Sequence, residues 1–220
     1  MTTITGQAVD AGLEFDRQVD RLLALGYPRE GGLTEDAFTE LLAPLRDEAL
    51  ARGAAMDEPA RDRVPFVVVV TKHVVPAERA MPLTCLRGKP GFVSADMSDV
   101  HRFEPIERVD LPDKHAYLLL DVERGDDLLD VRPNDALVTI TGRGRTPLTV
   151  DEGIALVTAF PEMLEKNHCF SLVASRCGDK RVPALWISKG APKLGWCWAG
   201  NPHTWLGSAS CGGRVGRPQE

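Results

Sequence analysis

Residues 64–71, VPFVVVVT, are crowded with β-branched side chains and show no polar alternation. A strand of that kind has no face to offer water, so it needs packed layers on both sides and is expected as a central strand of a sheet. It is also the longest apolar run in the chain, far short of the roughly 20 residues that cross a bilayer. The N-terminus has no basic start followed by an apolar stretch. Together these features predict a cytoplasmic protein with no membrane partner. With 43% hydrophobic and 26% charged residues over 220 positions, the chain can build a core, and its 20 Gly and 16 Pro imply many turns without low complexity.

Helices precede that run. In residues 14–25, Phe15, Val19, Leu22 and Leu23 recur at helical spacing, and Gly26 and Pro28 supply the stop. A second helix begins after Thr34, a side-chain cap ahead of Glu35 and Asp36, and buries Phe38, Leu41, Leu42 and Leu45. Pro44 is expected to kink or divide it. Residues 52–63 are polar and read as a connection.

Residues 76–112 carry five prolines (Pro76, Pro82, Pro90, Pro105 and Pro112), so only short strands are expected in a segment that covers a site or wraps the core. Residues 115–123 read as a strand. Thr149 and Glu152 form a capping box ahead of Ile154, Leu156, Val157 and Phe160, predicting a helix that runs to about Glu165 with a kink at Pro161. Residues 170–176 and 181–188 read as strands about a turn at Gly178, and 194–199 with 203–207 as a second hairpin about Gly200, Asn201 and Pro202. The expected fold is α+β: N-terminal helices packed on a mixed or antiparallel sheet, with a β-rich C-terminal third. One domain is expected over residues 1–211, its helical part at about 14–52, with 212–220 as a flexible tail.

The net charge of −6 is the wrong sign for a chain whose business is neutralising phosphates, so no nucleic-acid partner is expected. The charge is unevenly placed. Residues 1–58 hold five Arg and twelve acids, whereas residues 166–220 hold eight Lys or Arg and two acids. The basic end also carries every tryptophan: Trp186, Trp196, Trp198 and Trp205. Indoles suit a ligand-stacking wall or a partner interface as well as a core. With Arg176, Arg181, Lys189 and Lys193 as counter-charges and Asn201 as a polar contact, Trp196, Trp198 and Trp205 make a candidate site for an anionic ligand. The competing reading is that the rings seal the sheet and the charges are solvated.

Cys197 and His203 invite a thiol–imidazole dyad, but hairpin register decides whether they meet. If the hairpin centres on Gly200 they pair directly; half a residue away they fall on opposite faces. Cys177, Cys197, His203 and Cys211 have the donor types for a tetrahedral zinc site, although no C-x-x-C knuckle is present. Asp121 and Asp127 lie in an acidic stretch that either performs acid–base work or is a solvated turn. Gly142, Arg143, Gly144 and Arg145, ahead of the Thr149 cap, form an incomplete anion-binding glycine loop. No cofactor is implied.

The strings RGRTPLT at 143–149, VPALWIS at 182–188, APKLGWCW at 191–198 and GNPHTWLG at 200–207 resemble an actinobacterial protein family known only as a domain of unknown function. The resemblance extends more loosely upstream to the helix at 14–26. It implies no reaction, cofactor or catalytic residue, and it stops short of Cys211.

The reading that follows is recognition of a small anionic molecule or carrier-borne acyl group in a Trp-rich C-terminal pocket. Any chemistry there is cofactor-free acid–base or elimination work by His203 with Asp121 or Asp127. The alternative is a non-enzymatic module whose tryptophan face meets a protein partner or a second copy of the chain.

Overall fold

The computed structural model describes residues 10–53 and 59–217. Helix α1 (Ala11–Leu25) opens on Asp10, whose carboxylate accepts from the Gly12 and Leu13 N–H groups, and closes on Gly26 at φ 83°. Glycine takes that left-handed geometry without a Cβ clash. Helix α2 (Glu35–Gly53) starts beyond Thr34, whose hydroxyl accepts from the Ala37 N–H at 3.2 Å. Pro44 lies within α2 and does not divide it. Phe38 and Leu42 before it and Leu45 and Ala49 after it are all buried, so one core holds both halves of the helix. Residues 54–58 of the expected connection fall outside the described residues.

Strands β1 (Arg63–Val70), β2 (Ala116–Glu123), β3 (Cys169–Ser171), β4 (Arg181–Ser188), β5 (Ala191–Trp198), β6 (Leu206–Ser208) and β7 (Ser210–Val215) form most of two sheets. Helices α3 (Pro133–Gly142) and α4 (Val150–Ala159) fall between β2 and β3. The first sheet is antiparallel, in the order β1, β2, β7 and the short strand Thr146–Pro147. The second is mixed, in the order β6, β3, β4, β5 and the short strand Phe92–Val93, with β6 parallel to β3 and Phe92–Val93 parallel to β5. The fold is α+β. Among the described residues no helix is long and apolar enough to cross a membrane.

Three expectations about the strands are corrected. First, β1 is an edge strand, not a central one. Absence of alternation reports cover on both faces, which β1 has, and says nothing of neighbours on both edges. Its free edge is closed by Gln18 of α1, only 1% exposed. The Gln18 Nε2 donates to the Phe66 carbonyl at 3.1 Å and its Oε1 accepts from the Val68 N–H at 2.8 Å, as a neighbouring strand's peptide would.

Second, residues 212–215 belong to β7 and are not a tail; Gly213, Arg214 and Val215 pair with Leu120, Leu119 and Leu118. The glycines of SCGGRV hide the strand, which is anchored where Arg214 meets buried Glu152. Residues 218–220 lie outside the described residues.

Third, no hairpin forms about Gly200. The chain leaving β5 crosses to β6, beside β3. The tight hairpin joins β4 to β5 through Lys189 and Gly190, at φ 53° and 82°, the two successive positive values of a two-residue turn. The capping box of α4 is present, with the Thr149 N–H donating to Glu152 Oε2 at 2.7 Å and the Glu152 N–H to Thr149 Oγ1 at 3.4 Å. The helix stops at Ala159, short of Glu165, because Pro161 opens a 3-10 turn at Pro161–Met163.

Candidate functional site

Register decides which tryptophans meet. Across the β4–β5 pair, Trp186 stands opposite Lys193 and Pro183 opposite Trp196. Directly opposed residues share a face and successive residues alternate, so Trp186 and Trp196 stand on opposite faces of the hairpin. The single indole wall expected from the sequence is therefore two. Trp186 meets Trp205 edge-on with ring centroids 6.2 Å apart, and Trp196 meets Trp198 edge-on at 4.8 Å.

On the first face the Trp186 ring occupies the space that a side chain at Gly195 would fill. Trp205 is held on the approach to β6, where its carbonyl accepts from the Cys169 N–H at 3.0 Å. Between the two indoles and the β4–β5 turn lies a hollow of about 410 Å³, also lined by Ile187, Cys169, Lys166, Asn167 and Lys189. Lys193 stands 5.0 Å over the Trp186 ring. Among the described residues, Lys166, Lys189 and Lys193 form no ion pair with a carboxylate, although acids engage many of the arginines. The Cys169 thiol is pushed up in pKa by burial and donates to the Glu165 carbonyl, so it serves as wall and not as nucleophile.

The second face is a clamp. Arg181 binds both oxygens of Asp99, at 3.0 and 2.7 Å, and also reaches Asp179 at 2.8 Å; these hydrogen bonds raise its pKa further. Its guanidinium lies 5.4 Å from the Phe103 ring and 5.7 Å from the Trp196 ring. Trp196 Nε1 donates to the Asp96 carbonyl at 3.0 Å. Arg181 and Trp196 thus fasten the proline-rich segment to the sheet, and Trp198 remains 47% exposed beside them. Arg176 donates to the Val173 and Ser175 carbonyls, with its pKa drawn down by burial. Asn201 is exposed. Neither Arg176 nor Asn201 lines the hollow.

The residues expected to do chemistry are not gathered. Cys197 is buried opposite Val182, its Sγ 3.8 Å from Ser171 Oγ, and burial pushes its thiol up in pKa. No hydrogen bond joins Cys197 to His203, whose ring instead tilts against Trp205 at 5.4 Å; the hairpin that would pair them does not form. Asp121 is held by Arg63 at 2.5 Å and Arg145 at 2.6 Å, and Asp127 by Arg143. Arg145 is thereby engaged within the protein, which leaves the Gly142–Arg145 stretch without its free cation.

The zinc quartet is likewise dispersed. Cys177 bonds Asp179 and Arg181, whereas Cys211 lies in the other sheet opposite Val122, raised to about 11 by burial. Among the described residues no group of three His, Cys, Asp or Glu side chains can hold a metal.

Sequence reasoning missed Trp186 as the partner of Trp205, together with Lys166, Asn167 and Ile187. Gly195 was the available signal: a glycine diagonal to a tryptophan across a hairpin marks where the ring will lie. Nothing in the sequence foretold Lys166, which arrives from the loop before β3.

Fold and site define an α+β protein with an indole- and lysine-lined hollow on one sheet face. The chain belongs to DUF5701, a family of unknown function that matches residues 21–217. No curated protein and no solved structure matches it.

Proposed function

We propose that the protein binds a small anionic molecule, or the acyl group of a carrier, in the hollow that Trp186 and Trp205 line beside the β4–β5 turn. The observation that carries this reading is that two indoles share the hollow with Lys166 and Lys189, with Lys193 over the Trp186 ring, and that none of the three lysines forms an ion pair with a carboxylate among the described residues. A planar or acyl portion would pack on the rings while carboxylate or phosphate-like oxygens take the ammonium donors. The local excess of positive charge over residues 166–220 would draw such a ligand in, against the negative charge of the whole chain. His203 supports the Trp205 ring from outside the hollow, so the reading is of binding, with no general base assigned.

A thermal-shift screen with planar carboxylates and acyl-coenzyme A thioesters tests it. Ligand at a hundred times Kd stabilises by about 2.7 kcal/mol, which raises Tm by roughly 5–10 °C at this chain length. Trp205→Leu should abolish the shift; an equal shift in that variant overturns the reading. The exposed Trp198 favours a second reading, self-association through the opposite face. On that reading Trp198→Ala lowers the native mass, and an unchanged mass dismisses it.

A further inference from the structure

Away from the tryptophans, two adjoining hollows of about 150 and 240 Å³ lie between the loop that leaves β1, the turn at Val100–Arg102 and the first turn of α4. Lys72, His73, Phe103, Val150 and Asp151 line both. None of the residues around them belongs to the Trp186–Trp205 hollow. Phe103 and Val150 are buried and give the cleft apolar walls.

Asp151 enters this cleft from the start of α4 with its two oxygens in different states. Oδ2 accepts from the Lys72 N–H at 2.9 Å. Among the described residues no group donates to Oδ1, and Asp151 lines both hollows. The neighbouring ammonium does not serve it, because Lys72 Nζ lies 2.6 Å from Glu104 Oε1. A carboxylate oxygen with no donor from the described residues, in a cleft walled in part by Phe103 and Val150, is suited to accept from a cationic group with an apolar stem.

We propose that this cleft binds a small organic ammonium ion, its charged head on Asp151 Oδ1 and its hydrocarbon stem against Phe103 and Val150. The ligand is opposite in charge to that of the indole hollow, and the two sites are independent.

The groups facing Asp151 set its pH dependence. Lys72 and His73 come from the loop after β1 and Glu78 from the helix beyond it; His101 and Glu104 come from the covering segment. Asp113 and Lys114 precede β2, with Asp113 held by Arg217 at 2.8 Å. Glu152, the next residue on α4, is taken by Arg214. Burial raises the Asp151 carboxyl to about 6 against the lowering pull of the Lys72 N–H and ammonium, and Glu152 and Glu104 add to the rise. Ammonium binding needs the ionised form, so affinity falls about tenfold between pH 7.5 and pH 5. The Asp151 contribution is the difference in pH dependence between wild type and Asp151→Asn.

Isothermal titration of the full chain with benzylamine and with its neutral analogue benzyl alcohol tests the proposal. Benzylamine is expected to bind saturably and at least tenfold tighter than the alcohol at pH 7.5. Asp151→Asn, which keeps an acceptor for the Lys72 N–H, is expected to erase that preference, and Trp205→Leu to leave it unchanged. Equal affinities for amine and alcohol in the wild type, or an Asp151→Asn variant that retains the preference, would overturn it.

Discussion

Trp186 packs directly on Gly195: a Cβ at position 195 would stand 2.2 Å from the ring's Cη2. The diagonal register of the hairpin therefore sets the plane of one wall of the candidate site. Gly195→Ala is expected to push the indole off the sheet and cost about 1–3 kcal/mol, as overpacking does. Urea unfolding measures the loss; a midpoint equal to that of the wild type would show that the ring is free to move.

Glu152 and Arg214 join α4 to the last strand inside the core, 0% and 6% exposed at the side chain. The guanidinium donates to both carboxylate oxygens, at 2.5 and 2.8 Å, and Tyr117 adds its hydroxyl at 2.8 Å. Arg214→Leu strands a buried carboxylate, so a loss of about 3–5 kcal/mol is expected. Chemical denaturation checks it, and a change below about 1 kcal/mol would contradict the anchoring of β7 by this pair.

Gln18 does for β1 what a neighbouring strand would do. Gln18→Leu leaves the Phe66 carbonyl and the Val68 N–H without partners, at about 1–3 kcal/mol for each buried group. Native-state hydrogen exchange should show faster exchange at Val68 in the variant. Unchanged protection there would mean that another group closes the edge.

Asp151 gives stability a pH dependence of unusual sign for a carboxylate. Its folded pKa, about 6, lies above the ordinary 3.8, so the native state holds the extra proton between those values. The associated stability is present at low pH and is lost as pH rises through about 6, by up to about 3 kcal/mol. Acids such as Asp126, lowered by Arg124 and His168 despite its burial, act in the opposite direction but are common to both proteins when wild type and Asp151→Asn are compared. The variant should gain stability relative to wild type between pH 4 and 7. A constant difference over that range would show that Asp151 titrates normally.

Local chemistry in the sequence foretold local structure well. Thr34, Gly26 and the Thr149–Glu152 box act within a few residues of themselves, and each begins or ends a helix as read. What depends on partners far along the chain was not legible. Residues 64–70 announced cover on two faces, but the stand-in for a missing neighbour comes from Gln18. The β4–β5 turn was hidden because Lys189, a residue with a Cβ, takes a positive φ. With that turn unread, the parity of Trp186 and Trp196, and the separation of Cys197 from His203, could not be deduced. Asp151 looked like an ordinary first-turn acid until Lys72 and Phe103 closed around it.

The most direct test of the proposed anion binding is isothermal titration with indole-3-carboxylate and its neutral carboxamide. One chain is the wild type, and the other combines Lys166→Met, Lys189→Met and Lys193→Met. Saturable one-to-one binding of the carboxylate to the wild type alone, with the carboxamide much weaker, is the predicted result. Equal binding of acid and amide, or undiminished binding to the triple lysine variant, would contradict the account.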